Sequence, residues 1–183
     1  MIDIDYSQVW NDFIFKPFEA QKSESIVKND PKYYNSIVQF RFAMLGWSPG
    51  SELFSHNLLK SEYEKPDFYL EKDGIGIPII IKLPNEVLNK ADMERLFEQM
   101  QICNANIGIY IGKHVLVFYR PTTEDELKVV IDAALTENDI EGLAFAELFY
   151  KRNFDIEWIR KELNVLYKLE GIIDDLDAIR IVS

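Results

Sequence analysis

Asp67 and Lys82 are the two residues of this chain whose types and spacing could do chemistry together. Asp67 follows a proline in Lys65-Pro66-Asp67-Phe68-Tyr69-Leu70, and Lys82 closes Ile79-Ile80-Ile81-Lys82 one hairpin later. Metal-assisted cleavage of a phosphodiester needs hard oxygen ligands that hold Mg²⁺ beside the phosphate. It also needs a cation to position the attacking water or stabilise developing charge. An acid at the open end of one strand, with an acid and a lysine on the neighbouring strand, meets that need, because hairpin pairing brings them together. Side chains two apart on a strand share a face, so residues 80 and 82 point the same way. Position 80 is an isoleucine, and the layout has one ligand missing.

The elements that must position these residues can be read from the pattern around them. Residues 67–72 alternate and lead into the turn signal Lys72-Asp73-Gly74. The returning strand, Ile75 to Leu83, is almost wholly apolar and is expected in the middle of a sheet, with a bulge or strand entry near Pro78. Pro84-Asn85 is expected to cap a helix from Glu86 to about Cys103, with an apolar stripe of Met93, Leu96, Phe97 and Met100 and early acids that suit its dipole. Two β-rich runs follow, Ile107 to Ile111 and Val115 to Tyr119, joined by Gly112-Lys113-His114. This hairpin is either a sheet edge open to self-association or buried under later helices.

Upstream, Lys32 to Leu45 repeats apolar residues at helical intervals, with Asp30 as N-cap and Gly46-Trp47-Ser48-Pro49-Gly50 as the stop. Residues 6–18 fit neither helix nor strand cleanly and read as a short packing arm. Downstream, an acidic region opens at Pro121 and is expected to be mostly helical, over 124–135, 140–150 and 155–169. The order from 32 to 120 is helix, strand, strand, helix, strand, strand. The expected class is α/β (α+β), a central mixed sheet flanked by helices with a C-terminal helical extension.

With 183 residues, 48% of them hydrophobic, the chain can build one well-packed core and is read as a single domain over 1–183, a core at 32–122 with an acidic extension at 123–183 packed on it. Net charge is −11, which argues against broad binding of a polyanion. Residues 123–183 carry 15 acids and 7 bases, a net of −8, so most of the excess lies outside the core segment. One cysteine and two distant histidines give no zinc spacing. No apolar run spans a bilayer and no basic start precedes one, so the expectation is a soluble, cytoplasmic protein with no membrane partner.

Pro66-Asp67, the hairpin and Lys82 resemble the PD-(D/E)XK nuclease superfamily. The wider context resembles the N-terminal domain of the R subunit of type I restriction enzymes, through Leu45-Gly46-Trp47, Lys65 to Leu70, Gln99 and Ile107-Gly108-Ile109-Tyr110-Ile111-Gly112. Asn138-Asp139-Ile140-Glu141-Gly142 and Asn153-Phe154-Asp155 resemble the tail of that domain. The resemblance covers roughly residues 32–170 through short motifs. It implies a restriction-endonuclease-like fold, with Asp67 as a metal ligand, Lys82 as the motif lysine and Gln99 as the glutamine of a Gln-x-x-x-Tyr motif. It also implies a part in bacterial defence, with DNA or a restriction-system protein as partner.

The chain departs from that pattern at three places. Ile80 replaces the second acidic ligand, Cys103 replaces the tyrosine, and the 32–45 helix offers no acid to match an early glutamate. The resulting expectation is a catalytically inactive relative, binding nucleic acid or protein as a scaffold, with no cofactor. The alternatives are an active Mg²⁺-dependent DNA endonuclease with a relocated carboxylate (Glu64, Glu71, Asp92 or Glu98) and an acidic protein-interaction scaffold. Each residue also has an ordinary reading. Asp67 either satisfies a turn or pairs with Lys65 or Lys82, Lys82 reaches to solvent, Gln99 flanks a helix stripe, and Cys103 is core.

Overall fold

Phe68–Lys72 (β1) and Ile75–Ile81 (β2) form the expected hairpin, paired antiparallel from Phe68↔Ile79 to Lys72↔Ile75. Asp73 (φ 54°) and Gly74 (φ 78°) make its two-residue turn, both in the left-handed region that a type I′ turn requires. Pro78 opposes Tyr69 in unbroken register, so the expected bulge is absent. Pairing with the next strand begins at Ile79, just past the residue that lacks a donor. This computed structural model describes residues 4–23, 31–48, 66–84 and 86–182.

Lys90–Ile102 (α3) carries the chain from β2 to Ile107–Ile111 (β3), which pairs with β2 in parallel. The helix starts at Lys90, capped by Asn89, whose side chain accepts the Asp92 N–H at 3.0 Å. The expected cap, Asn85, lies outside the described residues. Leu96 and Met100 are buried as the stripe predicts, but Met93 is 40% exposed. His114–Tyr119 (β4) returns antiparallel to β3, and Lys128–Ala134 (β5) pairs antiparallel with β4.

The strand at 128–134 corrects the helix expected over 124–135. Glu124-Asp125-Glu126 imitates a helix start, but Val129, Val130 and Ile131 are β-branched and fit the pleated surface better. The sheet order is β1-β2-β3-β4-β5, a mixed five-stranded sheet. The 107–119 hairpin is therefore interior, and the edge-strand expectation for it fails.

The aromatic arm at 6–18 is also corrected: Tyr6–Ser23 (α1) is a helix. Trp10, Phe13 and Ile14 stand at i, i+3 and i+4 and are almost completely buried, while Phe15 falls off that stripe and blurs the period. Pro31–Arg41 (α2) stops short of Leu45. From Ala43 to Gly46 the N–H groups bond carbonyls three residues back, and Gly46 (φ 85°) turns the chain out. Asp30 lies outside the described residues. Ile140–Phe149 (α4), capped by Asp139, matches expectation, and Ile156–Val182 (α5) runs well beyond 169.

Alternation along the strands splits the apolar residues between two layers. The larger cluster joins Trp10, Phe13, Phe42, Trp47, Phe145 and Phe149 to one face of the sheet. The smaller one, Ile80, Tyr110 and Phe118 with Leu96 and Met100, lies under α3 on the other. Two glycines permit close approach: a Cβ at Gly108 would sit 2.7 Å from Met100 Sδ and 3.1 Å from Leu96, and one at Gly142 would sit 2.0 Å from the Trp10 indole. Among the described residues no helix is long and apolar enough to cross a membrane.

Candidate functional site

Asp67 immediately precedes β1 and Lys82 immediately follows β2. Antiparallel pairing therefore places both at the carboxyl end of β2, the end of an open sheet where crevices form. The Asp67 N–H donates to the Ile79 carbonyl at 2.9 Å and extends the hairpin by one residue. Its carboxylate then curls over the strand end, where Oδ2 accepts the Ile81 N–H at 2.7 Å.

Helices on both faces supply the remaining partners. From α2, Asn35 Nδ2 donates to Asp67 Oδ1 at 3.0 Å, and Asn35 is itself held by Gln39 Nε2 at 3.1 Å. From α3, Arg95 Nη2 lies 3.7 Å from the same oxygen. Burial pushes the Asp67 carboxyl above its ordinary range, outweighing the Ile81 N–H, Arg95 and Lys82, which all favour the charged form.

Lys82 does not reach free into solvent. Its Nζ pairs with Asp92 Oδ1 at 2.7 Å, with the lysine side chain 30% exposed and the aspartate side chain 7%. Asp92 is in the first turn of α3, where the positive end of the helix dipole suits it. Its other oxygen, Oδ2, is buried without a donor among the described residues. Tyr110 lies on the same face of the sheet, its hydroxyl also buried without a partner among the described residues and pushed up to about 12, first by burial and then by Asp92 and Glu86.

Gln99 is fully buried two turns further along α3. It accepts a hydrogen bond from the Tyr69 hydroxyl at 3.3 Å, and its Nε2 is buried without an acceptor among the described residues. Tyr69 also meets the Cys103 thiol, and burial raises both groups. The sheet end thus brings Asp67 and Lys82 together, and Gln99 contacts Tyr69 rather than either of them.

Whether this set could hold Mg²⁺ is a question of donors. Ile80 is completely buried among Leu96, Met100, Tyr110 and Phe118, so the expected second ligand position is sealed under hydrocarbon. Both Asp67 oxygens already accept hydrogen bonds, and the charges nearest the carboxylate are Arg95 and Lys82. A divalent ion there would meet two cations and one fixed carboxylate, which does not fit a hard-cation site. Of the acids considered as replacements, Asp92 is held by Lys82, Glu71 and Glu98 are exposed, and Glu64 lies outside the described residues. Among the described residues, no three His, Cys, Asp or Glu side chains gather closely enough to hold a metal ion.

Two partners of Asp67 were not visible in the sequence. Asn35 and Arg95 are polar residues on amphipathic helices, and only tertiary packing gives them a direction. Comparison with known protein families, with curated proteins and with solved structures finds no significant match to this chain.

Proposed function

We propose that this domain is a catalytically inactive relative of the R-subunit nuclease domain of type I restriction enzymes, serving as a binding and scaffolding module. The observation that carries the reading is the closure of the site on itself. Asp67 is held by Asn35, Arg95 and the Ile81 N–H, Lys82 is held by Asp92, and Ile80 fills the ligand position with hydrocarbon. A protein partner is favoured over a polyanion, because the two cations at the sheet end are already paired with acids and the chain carries a net −11.

One observation favours a second reading. Asp92 Oδ2 is a buried acceptor beside Lys82 without a donor among the described residues, which is where an active Mg²⁺-dependent endonuclease would keep a relocated carboxylate. The two readings part in a cleavage assay on single- and double-stranded DNA and on RNA with Mg²⁺ or Mn²⁺. The inactive reading expects wild type and Lys82→Ala to leave all substrates intact. Cutting that Lys82→Ala abolishes would replace it with the endonuclease.

A further inference from the structure

Arg120 is 4% exposed, and no acid among the described residues neutralises it. Buried arginines are almost always paired, because stripping water from a guanidinium without a counter-charge is expensive. Its Nη1 donates to the Thr123 carbonyl at 3.5 Å, the outer limit for such a bond, and its Nε is buried with no acceptor among the described residues. The guanidinium carbon lies 4.9 Å from the centroid of the Phe97 ring, which supports the group from one side and leaves the Nε donor of its fork unmet among the described residues.

The nearby carboxyl end of α3 does not account for it. There the Gln99 carbonyl accepts the Cys103 N–H, the Gln101 carbonyl the Asn104 N–H and the Met100 carbonyl the Ala105 N–H. The helix end is closed by its own backbone, and Arg120 is not consumed in capping it.

Arg120 instead lines a pocket of about 170 Å³. Phe97 and Met100 give that pocket an apolar side, and Gln101, Asn104 and Thr123 give it polar groups at the surface. The volume is below the roughly 300–1,000 Å³ of pockets that enclose a whole ligand, so it suits one end of a molecule. A planar fork matches a carboxylate through two parallel hydrogen bonds, and the apolar side matches a short hydrocarbon stem. We propose that this pocket binds a carboxylate carried on a short apolar stem, with the Arg120 guanidinium as its counter-charge.

The test is a titration of the full ¹⁵N-labelled chain with sodium butyrate, sodium phosphate and butyramide, following the Arg120 Nε–H resonance and the Tm. Butyrate should shift both saturably in the millimolar range. Butyramide, which has the same stem without the charge, should move neither, and phosphate should need at least about tenfold more. Arg120→Met should abolish the butyrate response. If that variant does not fold, Arg120→Lys, which keeps the charge and loses the fork, should weaken the response by about tenfold. N-acetylvaline in place of butyrate tells the end of a peptide chain from a free acid by which saturates first. Saturation by phosphate ahead of butyrate, equal effects of butyrate and butyramide, or no saturable shift would each overturn the proposal.

Discussion

The two ends of α3 treat charge in opposite ways. At its amino end, Lys82 pairs with Asp92 and Arg95 with Asp67, four charged groups that face one another across the end of the sheet. At its carboxyl end, Arg120 is more deeply buried than Lys82 or Arg95 and faces no acid among the described residues. In the first arrangement the cost of desolvation is offset in part, because each charged group meets one of the opposite sign. The second is costly unless something from outside completes it. The end whose sequence points to chemistry has its charges paired, though Asp92 Oδ2 lacks a donor among the described residues, and the end with no motif holds the cation that faces no acid among them.

The sharpest way to break this comparison is Ile80→Glu, which supplies the carboxylate the nuclease pattern lacks. The side chain would enter the cluster of Leu96, Met100, Tyr110 and Phe118, where a charge has no counter-ion. We expect a loss of about 4 kcal/mol or more in chemical denaturation and no Mg²⁺-dependent cutting. Recovery of both stability and cleavage on adding Mg²⁺ would show that the amino end is a latent metal site after all.

A smaller effect comes from removing one cation at each end. Lys82→Ala strands a buried Asp92 and is expected to cost about 3 kcal/mol, at the lower end for a broken buried pair because Lys82 is partly solvated. Arg120→Met exchanges a cation that faces no acid among the described residues for a side chain of similar reach and loses its contact with Phe97 and one long hydrogen bond to the Thr123 carbonyl, so stability should stay within about 1 kcal/mol of wild type. Urea midpoints of the two variants test this directly, and equal losses would erase the distinction.

The smallest effect is a slope with pH. The folded state holds the Asp67 proton to higher pH than the unfolded chain does, since burial raises this carboxyl. The associated stability is full below the unfolded value, about 3.9, and is lost as pH rises through the raised folded value. Relative to Asp67→Asn, wild type should therefore lose stability from about pH 4 upward. A relative gain over that range would mean that Arg95 and Lys82 outweigh burial at this carboxylate.

How much of this was legible depended on whether the deciding contact was local. The Asp73-Gly74 turn, the apolar strand after it and the helix bearing Leu96 and Met100 follow from short-range pattern, and each formed. The strand at 128–134 was misread because three acids mark a helix start locally, while the free edge of β4 decides the outcome from far away in sequence. The helix at 6–23 was hidden because the off-stripe Phe15 obscures the period of Trp10, Phe13 and Ile14. At the candidate site, Asp67 and Lys82 could be placed from the hairpin alone. Asp92 stood among the replacement acids, and the structure sets it against the lysine, whereas Asn35, Arg95 and Arg120 carry no spacing signal at all.

Gly108 joins these two corners into one mechanical object. The 13 residues of α3 form a rod about 20 Å long, seated near its middle where Leu96 and Met100 drop into the space that the glycine leaves on β3. A side chain at 108 would press on Met100 Sδ and Leu96, so those two residues would have to give way before anything larger than glycine could stand there. The rod that carries Arg95 to Asp67 and Phe97 to Arg120 thus rests on a space that one methyl group would fill, at the second residue of a strand.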